Sequence, residues 1–151
     1  MIKIITIGKI KEPYLKEAIF DYYNRLAKYH KVELLELQEI NTDDITKNLN
    51  KEAETILNQL KTKDYIIVLD KEGKNLSSEA LSELINNNIG IHQNLVFVIG
   101  SSHGLNKSIK DKANLVLSFG NNTYPHQLFR LILLEQLYRS FKIINNEPYH
   151  K

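Results

Sequence analysis

At 151 residues, 42% hydrophobic and 25% charged, the chain has the size and composition of a single globular domain, residues 1–151, with its own core. It has no cysteine, which excludes disulfides, thiolate metal sites and cysteine nucleophiles. No apolar run nears the roughly 18 to 20 residues of a membrane span, and Met1–Gly8 is too short and strand-like for a signal peptide, so a cytoplasmic protein is the simplest reading.

The net charge of +2 is unevenly spread. Residues 1–30 hold six basic and three acidic side chains (+3), residues 31–60 three and seven (−4), and residues 101–151 seven and three (+4). Basic ends permit an anionic partner such as RNA, although ordinary solvated faces account for them equally well.

In chain order, the β-branched run Ile2–Ile7 predicts a strand, and Gly8–Pro13 a turn whose proline starts a helix. Leu15, Ile19, Tyr22, Leu26 and Tyr29 make that helix amphipathic over 13–29. Val32–Leu37 is a second strand. Asn41-Thr-Asp-Asp44 supplies caps and negative charge to a helix carrying Ile45, Leu49, Ala53, Ile56 and Leu60. Tyr65–Leu69 is a continuous apolar strand ending in Asp70–Lys74. Ser77 or Ser78 caps a helix with Ala80, Leu81, Leu84 and Ile85, stopped by Asn86–Asn88 and Gly90. Leu95–Ile99 is a second continuous apolar strand, followed by Gly100–Gly104, a short helix near 105–113 and the strand Leu115–Leu117. A small polar loop then leads to a helix begun by Pro125. Its apolar positions 128, 129, 131, 132, 133, 134, 137, 138 and 141 exceed one core stripe, so it is buried on two sides, either through the domain centre or against a second copy.

Five strands alternate with five helices, and two of the strands lack polar alternation, as when helices cover both sheet faces. The fold class is therefore α/β, a doubly wound, mainly parallel sheet. In such sheets ligands bind outside the strands' carboxyl ends, here Gly8–Lys11, Leu69–Gly73, Gly100–Gly104 and Phe119–Tyr124. Gly8 and Gly100-x-x-x-Gly104 do not form a dinucleotide fingerprint, and there is no P-loop. A hydrolase nucleophile elbow is also missing, and lysines stand where a phosphoacceptor domain needs acids. The five histidines contain no i,i+4 pair, so no metal site is expected.

The pattern Phe97-Val-Ile-Gly-Ser-Ser-His-Gly-Leu105, Leu117-Ser118, Thr123-x-Pro-His126, Leu134-x-Gln-x-Tyr-Arg-x-Phe141 and Pro148-Tyr-His-Lys151, with Ile4–Lys11, resembles the ribosomal RNA large subunit methyltransferase H family. That family belongs to the SPOUT class of S-adenosylmethionine-dependent methyltransferases. The resemblance spans essentially the whole chain. It implies a C-terminal trefoil knot, an obligate homodimer, and N3-methylation of pseudouridine 1915 in helix 69 of 23S rRNA on assembled 70S ribosomes. It places the cofactor against Leu69, Gly100, Phe119, Gly120, Asn121, Asn122, Thr123 and Tyr124. Ser101 departs from the family's usual second glycine, and the loop centre Gly120-Asn-Asn also differs from common members.

Methyl transfer to N3 requires loss of the N3 proton, so a base and charge stabilisation are expected. The resemblance puts His150, Tyr149, Arg139 and Glu135 in catalysis, and Lys9, Lys11, His126 and Lys151 against substrate. A Glu135–Arg139 helix pair, a capping or interface His126, and a frayed tail are the plainer roles for the same residues. A SPOUT enzyme of tRNA and a non-enzymatic ribosome- or nucleotide-binding module are the alternative functions.

Overall fold

A computed structural model describes residues 1–151. The elements are β1 (Ile2–Ile7), α1 (Pro13–Ala27), β2 (Val32–Leu37), α2 (Ile45–Leu57), β3 (Tyr65–Asn75), α3 (Ser78–Asn88), β4 (Leu95–Ile99), α4 (Lys107–Lys112), β5 (Leu115–Ser118) and α5 (His126–Ile144). The five strands form one parallel sheet in the order β2-β1-β4-β3-β5.

Side-chain alternation divides the core in two. Ile2, Ile4, Ile67, Leu69, Leu95, Phe97, Ile99 and Leu117 point to one face, where α1, α3 and α5 pack. Ile5, Ile7, Ile66, Val68, Val96 and Val98 point to the other, under α2 and α4. Helices cover both faces, which explains the unbroken apolar runs of β3 and β4. The steps β1→β2 and β3→β4 go one way along the sheet, with helices on the first face. The steps β2→β3 and β4→β5 go the other way, with helices on the second. All four crossovers therefore share one hand, as twisted parallel strands require.

Local chemistry sets most helix ends. Asp44 accepts from Lys47 N at 3.0 Å and Ser77 from Ala80 N at 3.1 Å, each satisfying an amide that the first helical turn leaves free. Pro13 starts α1, whereas Pro125 is the N-cap of α5 rather than its first helical residue. α5 runs on to Ile144 and stops at Asn146, the one non-glycine residue with a positive φ (54°). Two helices end sooner than the periodicity suggests, α1 at Ala27 and α2 at Leu57. Tyr29 still reaches the core from the turn beyond α1, stacked on Phe141 with ring centroids 5.8 Å apart.

The largest departure is in β3. Periodicity ends it at Leu69, but it continues to Asn75 around a bulge, with both Leu69 and Lys74 opposite Leu117 of β5. Asp70–Gly73 is extruded at the carboxyl end of the strand. The turn needs Gly73, because a Cβ there would lie 2.6 Å from Val116 O.

One core position holds a mismatched group. Thr6 is 4% exposed, and its hydroxyl has no hydrogen-bond partner. Thr6→Val keeps the β-branched shape and removes the orphaned group. Its expected effect is about 1 kcal/mol of added stability, raising the thermal midpoint by about 2–4 °C. A lowered midpoint in thermal denaturation would show that solvent satisfies the hydroxyl.

Candidate cofactor cavity and C-terminal tail

The carboxyl ends of β3, β4 and β5 converge on a cavity of about 490 Å³. Leu69, Ile99, Leu105, Leu117, Phe119 and Phe129 form its apolar walls, while Asp70, Glu72, Lys110 and Thr123 add polar groups. Apolar walls and polar groups contribute about equally, so the cavity can enclose a flat apolar ring while hydrogen-bonding a polar ligand.

Each wall has its own anchor. The buried Ser118 hydroxyl accepts from Gly120 N at 3.2 Å and lies 3.1 Å from Lys71 O, so it joins the loop after β5 to the β3 bulge. Gly120 takes a φ of +103°, open to glycine at no steric cost. Phe129 of α5 packs on Phe119 (5.3 Å) and Tyr124 (5.8 Å), pinning both loop aromatics to the first turns of the helix. Asp70 sits 2.7 Å from Lys110 and accepts from Glu72 N. Burial opposes its charge, but Lys110 and that amide win, and the carboxyl titrates below its usual range.

Ser101 is tied down in a way glycine could not be. Its hydroxyl lies 3.2 Å from Oε2 of Glu52, a buried α2 side chain whose Oε1 accepts from Ile40 N at 3.0 Å. Ser101→Gly leaves a buried carboxyl oxygen without its donor. The expected loss is about 1–3 kcal/mol, seen as a thermal midpoint several degrees lower.

A second constellation lies at the far end of α5. After Asn146 the chain folds back, so that Tyr149 packs edge-on against Tyr138 (4.9 Å) and under the Arg139 guanidinium (4.8 Å). Its hydroxyl donates to Glu135 Oε1 at 3.0 Å, and Glu135 also pairs with Arg139. Burial, Tyr22 and Glu135 push the Tyr149 phenol well up, so it stays a neutral donor. His150 Nδ1 is 3.2 Å from Arg139, and Nε2 is 2.6 Å from Glu79 Oε1. Arginine can only donate, so Nδ1 accepts and Nε2 carries the proton shared with Glu79.

Residues 1–150 match a family described as "Predicted SPOUT methyltransferase". The ribosomal RNA large subunit methyltransferase H of Clostridium botulinum (strain Eklund 17B / Type B) is 48% identical, covering 99% of both chains. The namesake from Caldicellulosiruptor saccharolyticus is 45% identical over the full length of both. The chain belongs to the ribosomal RNA large subunit methyltransferase H family. A solved structure described as a probable methylase family protein, from Haemophilus influenzae Rd KW20, covers 99% of this chain and 70% of its own at TM-score 0.59. At 14% identity it shows the fold alone, an α/β sheet of this kind.

Of the family's expected cofactor residues, Leu69, Gly100, Phe119, Gly120, Asn122, Thr123 and Tyr124 line the cavity, and Asn121 is exposed beside it. His126, expected at the substrate, is at the cavity edge; burial and then Arg130 lower its pKa, so it is neutral near pH 7. Lys9, Lys11 and Lys151 are exposed. Glu135, Arg139, Tyr149 and His150 come together, but not at the cavity of their own chain. Arg139 lies 13 residues beyond His126, about 20 Å along the helix. Sequence reasoning missed Glu79, Glu52 and Arg130, since all three matter through partners distant in the chain. It also left open which side of α5 is buried. Leu133, Leu134, Leu137 and Phe141 are, while Leu131 and Ile132 remain half-exposed in the single chain.

Proposed function

We propose that this protein is a homodimeric, S-adenosylmethionine-dependent methyltransferase of the cytoplasm that methylates N3 of pseudouridine 1915 in helix 69 of 23S rRNA, on assembled 70S ribosomes, and that its C-terminal segment forms the trefoil knot of its class. The observation that carries this reading is the cavity at the ends of β3, β4 and β5, in a chain whose full-length relatives are named for methylation of large-subunit rRNA.

The cavity suits the cofactor. Its apolar walls can enclose an adenine, and the loop Phe119–Tyr124 offers backbone amides and carbonyls at close range because Gly120 carries no side chain. When bound, the cofactor supplies a methyl group already activated as a sulfonium. What remains for the protein is to orient the uracil-type base and accommodate the loss of its N3 proton. Arg139 can stabilise the resulting anion, Tyr149 can stack on or donate to the base, and His150 can accept a proton at Nδ1 once Arg139 turns from it to that anion. Lys9, Lys11 and Lys151 are available to phosphates.

Two features support a site shared between subunits. The tail constellation begins at Glu135, beyond the cavity-lining Phe129, and its Arg139 lies about 20 Å along α5 from His126 at the cavity. Ile132 of α5 is only partly buried in the single chain and packs with neither core, which leaves an apolar side chain for a second copy to cover. In this reading the tail of one subunit serves the cavity of the other. Mixed dimers test it: a cofactor-loop variant (Gly120→Val) paired with a tail variant (His150→Ala) should recover up to about one quarter of native activity, because about half of random pairs are mixed and each mixed pair holds one intact site of two. No recovery from two inactive parents sinks the shared site. Calorimetry with S-adenosylmethionine separates the enzyme from a non-enzymatic module. Methyl transfer to ribosomes, and not to free tRNA, separates it from a tRNA enzyme.

A further inference from the structure

The loop after β1 is held far more firmly than an exposed turn requires. Gly8 N donates to Leu37 O at 2.8 Å. The Arg130 NH2 group donates to Ile7 O (3.0 Å) and Gly8 O (2.7 Å), while its NH1 group reaches Glu36 Oε1 at 2.8 Å. That same Glu36 oxygen accepts from Ile10 N at 3.1 Å, and Gln127 Oε1 accepts from Lys11 N at 3.0 Å. Ile7, Gly8, Ile10 and Lys11 thus all have backbone groups fixed from β2 or α5, while the side chains of Lys9 and Lys11 stay in solvent. Gly8 itself takes a φ of +87°, with Glu39, His126 and Arg130 packed around the place a Cβ would occupy.

The anchors come from the helical turn that closes the cofactor cavity. His126 and Phe129 face the cavity. Gln127 and Arg130, on the adjacent face of the same turn, hold the loop. Arg130 is only 5% exposed, and a guanidinium so buried costs more than an apolar side chain of its size unless its geometry is used. The planar fork is suited to that use, because one group can bridge two carbonyls and a carboxylate at once.

We infer that Arg130 and Gln127 are positioning residues that set Lys9 and Lys11 in register with the cofactor cavity, so that an rRNA backbone bound by the two lysines lies at a fixed distance from the methyl donor. This rests on the reading of the cavity as a cofactor site and of the basic loop as a substrate contact. The phosphates are met by Lys9 and Lys11; Arg130 and Gln127 act only through them. Flexible lysines on a loose loop would bind the same phosphates with no preferred register.

The test compares Gln127→Ala, Arg130→Lys, the pair Lys9→Gln/Lys11→Gln, and each anchor variant combined with that pair. Ribosomes from cells lacking the gene serve as substrate, with thermal midpoint and S-adenosylmethionine affinity measured alongside. Gln127→Ala should raise the ribosome KM about fivefold at unchanged kcat and cofactor affinity. Arg130→Lys, which keeps the charge and loses the fork, should do the same or more. Neither should add to the loss already caused by the Lys9/Lys11 pair, because residues acting through one group are non-additive. Additive losses, or a fall in cofactor affinity or folding equal to the KM effect, would overturn the positioning role and leave plain structural support. If the native protein binds the cofactor and methylates ribosomes but the Lys9/Lys11 pair has native KM, the inference alone fails. If the native protein transfers no methyl to ribosomes, the functional reading fails and this inference with it.

Discussion

Gly100→Ala is expected to weaken S-adenosylmethionine binding by about 100-fold or more. Gly100 stands at the end of β4, where the chain turns sharply; Gly104 N donates to Ser101 O at 2.9 Å across the turn. A Cβ on Gly100 would lie 2.4 Å from Gly104 O and 2.7 Å from Leu105 Cγ. The first contact is with backbone, so no side-chain rotation relieves it, and the turn must open by about 1 Å. That movement displaces the cavity wall formed by residues 100–105 and pulls on Leu105, which is part of the second core. Overpacking of this kind costs about 1–3 kcal/mol of stability in addition to the lost binding site. Gly104→Ala is the matched control. Its φ of +82° strains a residue with a Cβ, but nothing lies within 4 Å, so only the backbone cost of about 1–2 kcal/mol is expected. Calorimetric titration of both variants decides the matter. Native affinity in Gly100→Ala would remove the cavity from consideration as the cofactor site.

Deleting Tyr149–Lys151 is expected to lower methyl transfer by about 1,000-fold while leaving cofactor affinity within about twofold of native. In the shared site the tail residues are assigned to the base and not to the cofactor, so the expected loss falls on transfer rather than on cofactor binding. Stability should fall only modestly. The deletion removes the Tyr149 ring from between Tyr138 and Arg139, but Arg139 keeps Glu135 as its partner and no buried charge is left alone. Tyr149→Phe separates the parts played by ring and hydroxyl. It retains the aromatic contacts and loses only the donation to Glu135 and the contact with Tyr22. Single-turnover assays on ribosomes read the chemical step directly. Native rates in the deletion variant would move the catalytic groups out of the tail altogether.

Much of the fold was written in local pattern. The unbroken runs Tyr65–Leu69 and Leu95–Ile99 announce strands covered on both faces, and the two cores contain alternate residues of each. Asp44 and Ser77 cap helices as residues of their type and placement do. The strand-end loops 69–73, 100–104 and 119–124 could be named as the expected ligand side from the sequence, because parallel sheets put ligands there, and a cavity opens among them. The motifs from Phe97 to Lys151 carried the family, which supplied the expected cofactor, substrate and knot.

Other features depend on chain segments meeting across long separations. The β3 bulge exists because Gly73 must pass close to the backbone of β5, a contact no periodicity encodes. Ser101 meets Glu52 49 positions away, and Arg130 reaches Gly8 across 122. Composition marks each of these residues only as polar, and tertiary packing alone tells which polar groups are buried against which partners. The tail shows the same division. Its sequence names Tyr149, His150 and Lys151, while the folded chain places the first two with Glu135, Arg139 and Glu79, toward the opposite end of α5 from His126 at the cavity. By itself the sequence determined the layers, most helix starts to within a residue or two, and the side of the sheet on which the cavity opens, since burial periodicity and capping act within a few residues. Strand order, the extruded bulge, the anchored basic loop and the separation of tail from cavity were decided by tertiary structure, because each depends on how distant segments are brought together.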